Sequence, residues 1–318
     1  MSILVFSTPA LIVLASLAPK PVRAPAILLI FAGAYALAPE SALRLVLPLA
    51  LVAVVARAIP AGWTAESKRS VQVSAIWAIL GVLLLNPFGR IQVWIAAQDL
   101  PTLSNLFDVE RFGAGQLLIG VLVTVFSDFL AYWVHRVKHK TRTLWAFHQI
   151  HHCAPELGLF AVRRSHPVDT LVGRISLLLP LVLLGQNFLL LILPYAVLRG
   201  SIGYWNHANT RLEWRALRRV FVTPSVHRTH HSARSEDHDA NFGAVFSFWD
   251  RLFGTFREPE EASLTQMGLP DFGGLVETDE SVPLWRVIRS QFVEPFRALR
   301  SIDAAPANGA TVAPRVRH

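Results

Sequence analysis

An apolar run from residue 115 to 134 ends directly on His135, and eleven of the chain's twelve histidines lie between His135 and His238. They fall into clusters: His135-Arg136-Val137-Lys138-His139, then His148-Gln149-Ile150-His151-His152, and later His227-Arg228-Thr229-His230-His231. Imidazoles in apolar surroundings are costly unless they are hydrogen-bonded or ligated. Any fold for this chain must bring an aqueous-looking chemistry to the end of a hydrophobic helix.

Hydrophobic residues make up 53% and charged residues 16% of the 318, with a mean hydropathy of +0.41. That leaves too few charges to coat a soluble globule of this size and points to a membrane protein. The net charge of +8 sits largely at the ends of apolar runs, the pattern of the positive-inside rule and of contact with anionic membrane lipids. With no basic stripe interleaved with aromatics, nucleic acid is not an expected partner. The single cysteine, Cys153, excludes an internal disulfide and any cysteine-based metal cluster, and it reads as a small buried space-filler.

In chain order, residues 3–18 read as a retained membrane helix rather than a cleaved signal, followed by apolar stretches at 24–38 and 42–58 and a polar loop at 61–70. The run 71–98 is interrupted at Asn86-Pro87, so it reads as a kinked helix or two segments. Residues 115–134 are the clearest span, and the Arg136, Lys138, Lys140 and Arg142 that follow place the histidine region on the cytoplasmic side. Residues 170–203, basic at both ends and broken near Gly185-Gln186-Asn187, read as a hairpin that returns His207 to the face where His135 left. The expected units are membrane helices over 1–113, a catalytic domain over 114–257, a cytoplasmic segment over 258–301, and a disordered tail over 302–318. The expected class is all-α: a multi-span membrane helical bundle with a cytoplasmic helical cap carrying a histidine-rich dimetal site.

Residues four apart share a helix face, so His135 and His139 can address one ion. His148, His151 and His152, and likewise His227, His230 and His231, occupy i, i+3 and i+4. These eight imidazoles exceed what one ion takes and suit two. A lone buried histidine is ordinarily a hydrogen-bonded core residue, but two His-x-x-His-His clusters beside a His-x-x-x-His form a far more specific pattern. Ligating imidazoles need acceptors for their second nitrogen, for which Asp128, Asp169 and Asp250 are candidates. Tyr132, Trp133, Trp145, Phe147 and Trp205 are candidates to line an apolar substrate groove, or else to pack as interface aromatics.

The clusters resemble those of the fatty acid hydroxylase/sterol desaturase superfamily, integral-membrane histidine-box oxygenases. Further stretches carry the resemblance: Arg163-Arg164-Ser165-His166-Pro167, Trp205-Asn206-His207-Ala208-Asn209, Asn241-Phe242-Gly243 and Trp249-Asp250-Arg251-Leu252-Phe253-Gly254-Thr255. It covers about residues 115–257 and implies a non-haem di-iron centre that uses O₂ and two electrons to hydroxylate or desaturate lipid carbon. Carried over, it implies His135, His139, His148, His151, His152, His207, His227, His230 and His231 as metal ligands, with His166 next in line. His238, in an acidic run, reads as a solvated or substrate-side residue. Where some relatives carry a second histidine shortly after the His207 position, this chain has Asn209 and Arg211.

The expected cofactor is two iron ions, with zinc able to occupy the same ligands in a purified sample. The expected partners are a lipid substrate, O₂ and membrane lipids. A separate electron-transfer protein of cytochrome or ferredoxin type is also expected, since the chain has no haem or flavin motif of its own. The expected location is the cell inner membrane, multi-pass. The rival readings are a membrane-embedded zinc hydrolase, which lacks the Glu of a His-Glu-x-x-His helix here, and a metal transporter, which would spread its ligands across membrane depth.

Overall fold

A computed structural model of the chain describes residues 68–77, 80, 114–158, 160–184, 189–211, 213–269, 279 and 281–303. The apolar stretches read at 3–18, 24–38 and 42–58, the break at 185–187 and most of the C-terminal tail lie outside them. Among the described residues there is no strand; two isolated bridges, Phe221 with Phe246 and Ser232 with Met267, are the sole β pairings. The described chain is helical, as the all-α reading expects.

Helix α1 runs over 68–77. Helix α2, Ala114–Lys140, is 27 residues, about 40 Å at 1.5 Å per residue. Its stretch Leu118–Lys140 is long and apolar enough to cross a membrane, and it is the one such helix among the described residues. Leu118, Val121, Leu122 and Phe126 stand exposed on it, the side chains a span would turn to lipid. Lys138, His139 and Lys140 form its last turn, where positive charge complements the helix dipole. The helix therefore continues past the apolar run, and His135 and His139 ride on the same cylinder.

Helix α3, Arg142–His152, follows after Thr141. A turn of 3-10 helix, Ala161–Arg163, leads to α4, Pro167–Gly173. Pro167 opens α4, where its missing N–H costs nothing, and His166 caps it by accepting from the Val168 N–H at 3.2 Å. Helices α5, Ile175–Leu184, and α6, Leu189–His207, both pack along α2, so the stretch read as a hairpin does carry His207 back to the C-terminal end of α2. Helix α7, Pro224–His230, again starts with proline. It packs against α6, and its Ser225 amide and hydroxyl are held by Glu213 at 2.9 and 2.6 Å. The short helices α8, Phe248–Leu252, and α9, Glu261–Thr265, precede the long amphipathic α10, Leu284–Asp303, which packs on α3.

Two apolar clusters fix these pieces. Tyr132, Phe242 and Trp249, flanked by Phe129, Trp133 and Phe253, lock α8 and the 242 loop to α2. Val73, Trp77, Ile150 and Val287 tie α1 and α10 to α3. The first cluster includes residues of α2 and the second a residue of α3, the two helices that carry the first five histidines.

Candidate metal centre

Nine histidines converge in two adjoining groups. His135, His139, His148, His152 and His230 form one, and His151, His207, His227 and His231 the other; within each group the ligand nitrogens lie within 4.8 Å of one another. The stacked rings of His152 and His231, 4.2 Å apart, mark the seam between them. The spacing alone suggested that each His-x-x-His-His triplet serves one face. Instead each triplet divides. On α3, His148 and His152 join the five-histidine group while His151 turns to the other. On α7, His227 and its neighbour past the helix end, His231, join the four-histidine group while His230 turns back. The reason is the helix itself: an i, i+4 pair projects nearly together, and the i+3 side chain diverges enough to reach a second centre.

The hydrogen bonds show which nitrogen faces inward. His135 Nδ1 meets the Phe242 carbonyl at 2.8 Å, His148 Nδ1 meets Asp169 Oδ1 at 3.0 Å, and His230 Nδ1 meets the Ala240 carbonyl at 2.7 Å. In the other group, His151 Nδ1 meets the Arg164 carbonyl at 3.1 Å and His207 Nδ1 the Gly203 carbonyl at 2.8 Å. An acceptor at Nδ1 fixes the proton there, so Nε2 presents a bare lone pair.

Those lone pairs face each other: His135 Nε2 is 3.1 Å from His148 Nε2, and His207 Nε2 is 3.3 Å from His151 Nε2. With both Nδ1 positions protonated, neither contact is a hydrogen bond; each is repulsive unless a cation lies between. Two imidazoles sharing an ion at the usual ~2.0–2.1 Å bring their nitrogens to about 3 Å. Among the described residues, the buried Nε2 atoms of His139, His152 and His230 and both nitrogens of His231 have no hydrogen-bond partner. Orphaned lone pairs of this kind fit a pair of metal ions.

Burial also puts the rings in the ligating state. It drives His151, His152, His227 and His231 well below the ordinary imidazole range and His230 down to about 3. Burial lowers His148 too, against the opposing pull of Asp169. These rings are neutral at physiological pH.

Around the rings lies a supporting layer. Burial opposes ionisation of Asp169, yet His148 and Lys138 hold its carboxyl well below the usual range. Lys138 Nζ lies 2.6 Å from Asp169 Oδ1, and Ser165 Oγ donates to Oδ2 at 2.6 Å. Of the three acids singled out as acceptors, Asp169 alone touches a histidine ring. Asp128 instead accepts from Tyr195 and from the Val245, Phe246 and Trp249 N–H groups. Asp250 accepts from the Phe242 and Gly243 amides and Thr255.

His166 joins neither group. It is buried among Phe147, Phe292, Phe296 and Trp77, and its Nδ1 is committed to capping α4, which carries Asp169. His238 is likewise outside both groups. Trp145 packs on His139 and His152 at 4.9 and 5.3 Å and so walls the site, whereas Tyr132 and Trp133 pack on Phe253. Cys153 lies outside the groups; its Sγ receives Arg164 Nη2 at 3.0 Å.

Sequence reasoning missed Lys138 and Arg164, which it counted as charges at a membrane boundary. Lys138 is 7% exposed and Arg164 fully buried. Arg164 donates to the Ile150 carbonyl at 3.2 Å while its own carbonyl takes His151. Their positions inside the histidine-bearing stretches were the available signal.

The fatty acid hydroxylase family model matches residues 120–255. The chain is 35% identical to an ornithine lipid hydroxylase of Rhizobium tropici over 156 residues, 49% of this chain and 46% of that protein. It is 31% identical to the human alkylglycerol monooxygenase over 140 residues, 42% and 29% of the two chains. With the mouse lathosterol oxidase it shares 30% identity over 167 residues, 51% and 54%. These alignments span about half or less of each relative's length, and no solved structure matches. The matched residues contain all nine converging histidines. Over residues 120–255 the chain therefore matches the fatty acid hydroxylase family, in keeping with the resemblance of its histidine clusters to the fatty acid hydroxylase/sterol desaturase superfamily.

Proposed function

We propose that this protein is a membrane-bound, O₂-dependent non-haem di-iron enzyme that hydroxylates or desaturates a C–H position of a lipid. The observation that carries the reading is the convergence of nine imidazoles in two adjoining groups made of histidine alone. A redox metal is required because O₂ does not attack an unactivated C–H bond unaided, and iron supplies the electron steps that zinc does not. The family match and the relatives named hydroxylase, monooxygenase and oxidase support the same class.

In this reading His135, His139, His148, His152 and His230 hold one ion and His151, His207, His227 and His231 the other. The Phe242, Ala240, Arg164 and Gly203 carbonyls and the Asp169 carboxylate keep the proton on Nδ1 and aim Nε2 inward. His166 acts through α4 rather than as a ligand. The buried aromatic and aliphatic surroundings exclude water around the reacting carbon. The electrons come from a separate cytochrome- or ferredoxin-type protein. The helices before residue 114 complete a multi-pass inner-membrane bundle, and the site faces the cytoplasm as a helical cap, as the charge after α2 indicates.

A zinc hydrolase would need a carboxylate base aimed at the ions, and neither group contains one. The test is metal analysis of purified protein together with O₂ uptake and lipid profiling of cells carrying wild-type or His151→Ala protein. Two irons per chain and a lipid product lost in His151→Ala are expected. A product unchanged by that substitution would overturn the reading.

A further inference from the structure

We infer that Asp250 is a positioning residue for His135, acting on it through a single peptide group. The inference rests on the reading that the two histidine groups hold metal ions. The peptide between Phe242 and Gly243 is gripped at both ends. Its N–H, on Gly243, donates to Asp250 Oδ2 at 2.9 Å, and its C=O, on Phe242, accepts from His135 Nδ1 at 2.8 Å. Asp250 Oδ1 takes the next N–H back, that of Phe242, at 2.7 Å. A carboxylate, a peptide and an imidazole thus form one chain of hydrogen bonds, in which each bond polarises the next.

The consequence for His135 resembles what Asp169 does to His148 by direct contact: the Nδ1 proton is held and Nε2 becomes a stronger donor. The geometry leaves little freedom. Asp250 is fully buried and also receives Thr255 Oγ1 at 2.8 Å. A Cβ on Gly243 would lie 2.7 Å from the Phe246 carbonyl oxygen and 2.9 Å from Asp250 Oδ2, so only glycine lets the peptide approach. The same loop presents the Ala240 carbonyl to His230. Asn241, at φ 57°, pins the loop from the other side by donating to the Val226 and Arg257 carbonyls. Both rings served by the loop, His135 and His230, belong to the five-histidine group. The loop touches no ring of the other group through these bonds.

Selectivity between the two ions is therefore the signature. Full-length protein in detergent is stripped of metal and titrated with Co(II) against a competing chelator, with His135→Ala and His207→Ala supplying the absorption spectrum of each site alone. In Asp250→Asn, affinity at the five-histidine site should fall about 10- to 100-fold while the four-histidine site is unchanged. Thr255→Val, which removes one of the three donors to Asp250, should move the same site in the same direction by a few-fold, and it decides the matter if Asp250→Asn does not fold. Equal loss at both sites would show a merely structural role and overturn the inference, as would no change at either. Wild-type protein that binds no pair of ions would instead remove the functional reading beneath it.

Discussion

Helices α3 and α7 carry the same His-x-x-His-His spacing, yet they hold their rings by different means. On α3, His148 is backed by a buried carboxylate and His151 by the Arg164 carbonyl. On and beside α7, His230 alone is backed, by the Ala240 carbonyl, while His227 Nδ1 and both nitrogens of His231 have no partner among the described residues. Because each triplet divides, the contrast passes to the two centres. The five-histidine group has three rings anchored at Nδ1, one of them by a carboxylate. The four-histidine group has two, both held by backbone carbonyls. One centre is buttressed and the other more lightly held, although both draw on the same two helices.

The largest effect should come from removing one ring on each side. His135→Ala and His207→Ala should each abolish lipid oxidation, a loss above about 100-fold, while each retains the opposite ion in elemental analysis. Joint loss of both ions from either variant would break the division into two centres.

Next comes Asp169→Asn. It leaves the buried Lys138 with its hydrogen bond to the Asp169 backbone carbonyl but without its counter-charge, a change that typically costs about 3–5 kcal/mol. A large drop in the thermal midpoint with iron reduced first at the five-histidine centre is expected; equal loss from both would erase the asymmetry between them.

Acid should sharpen the comparison further. His230, held to about 3, and His166, held to about 4, lie below the ordinary 6.5 because burial disfavours their charged forms. The unfolded chain then binds more protons than the folded one below pH 6.5. Metal-free protein should be level in stability above that pH and lose about 1.4 kcal/mol per pH unit per such histidine below it. Denaturant titrations from pH 8 to 5 would check this, and a flat profile would contradict it. The smallest effect belongs to Cys153→Ala, which should cost roughly 1 kcal/mol through its contact with Arg164 and leave the metal count at two.

Much of this was legible in the residues. The nine converging histidines were all named from their spacing and from the family resemblance, because helical periodicity is local and imidazole clusters are chemically conspicuous. His166 carried a similar local signal and went elsewhere: the Pro167 beside it makes it a helix cap, and its ring sits among aromatics from α1, α3 and α10. No local pattern states which distant helix will pack there. Asp128 and Asp250 were noticed as acids near the site, but they hold backbone N–H groups of the 242–246 segment and, for Asp128, the Trp249 indole, partners that one-dimensional spacing does not reveal.

The sequence by itself determined the helical class, the apolar run ending at His135 and the imidazole set, since all three follow from periodicity and side-chain chemistry. Tertiary structure alone decided how each triplet divides between two centres, that Lys138 turns inward to Asp169, and that a peptide links Asp250 to His135. Those outcomes depend on which carbonyls and carboxylates meet a ring at hydrogen-bond distance, and packing between elements separated by up to a hundred residues or more sets that distance.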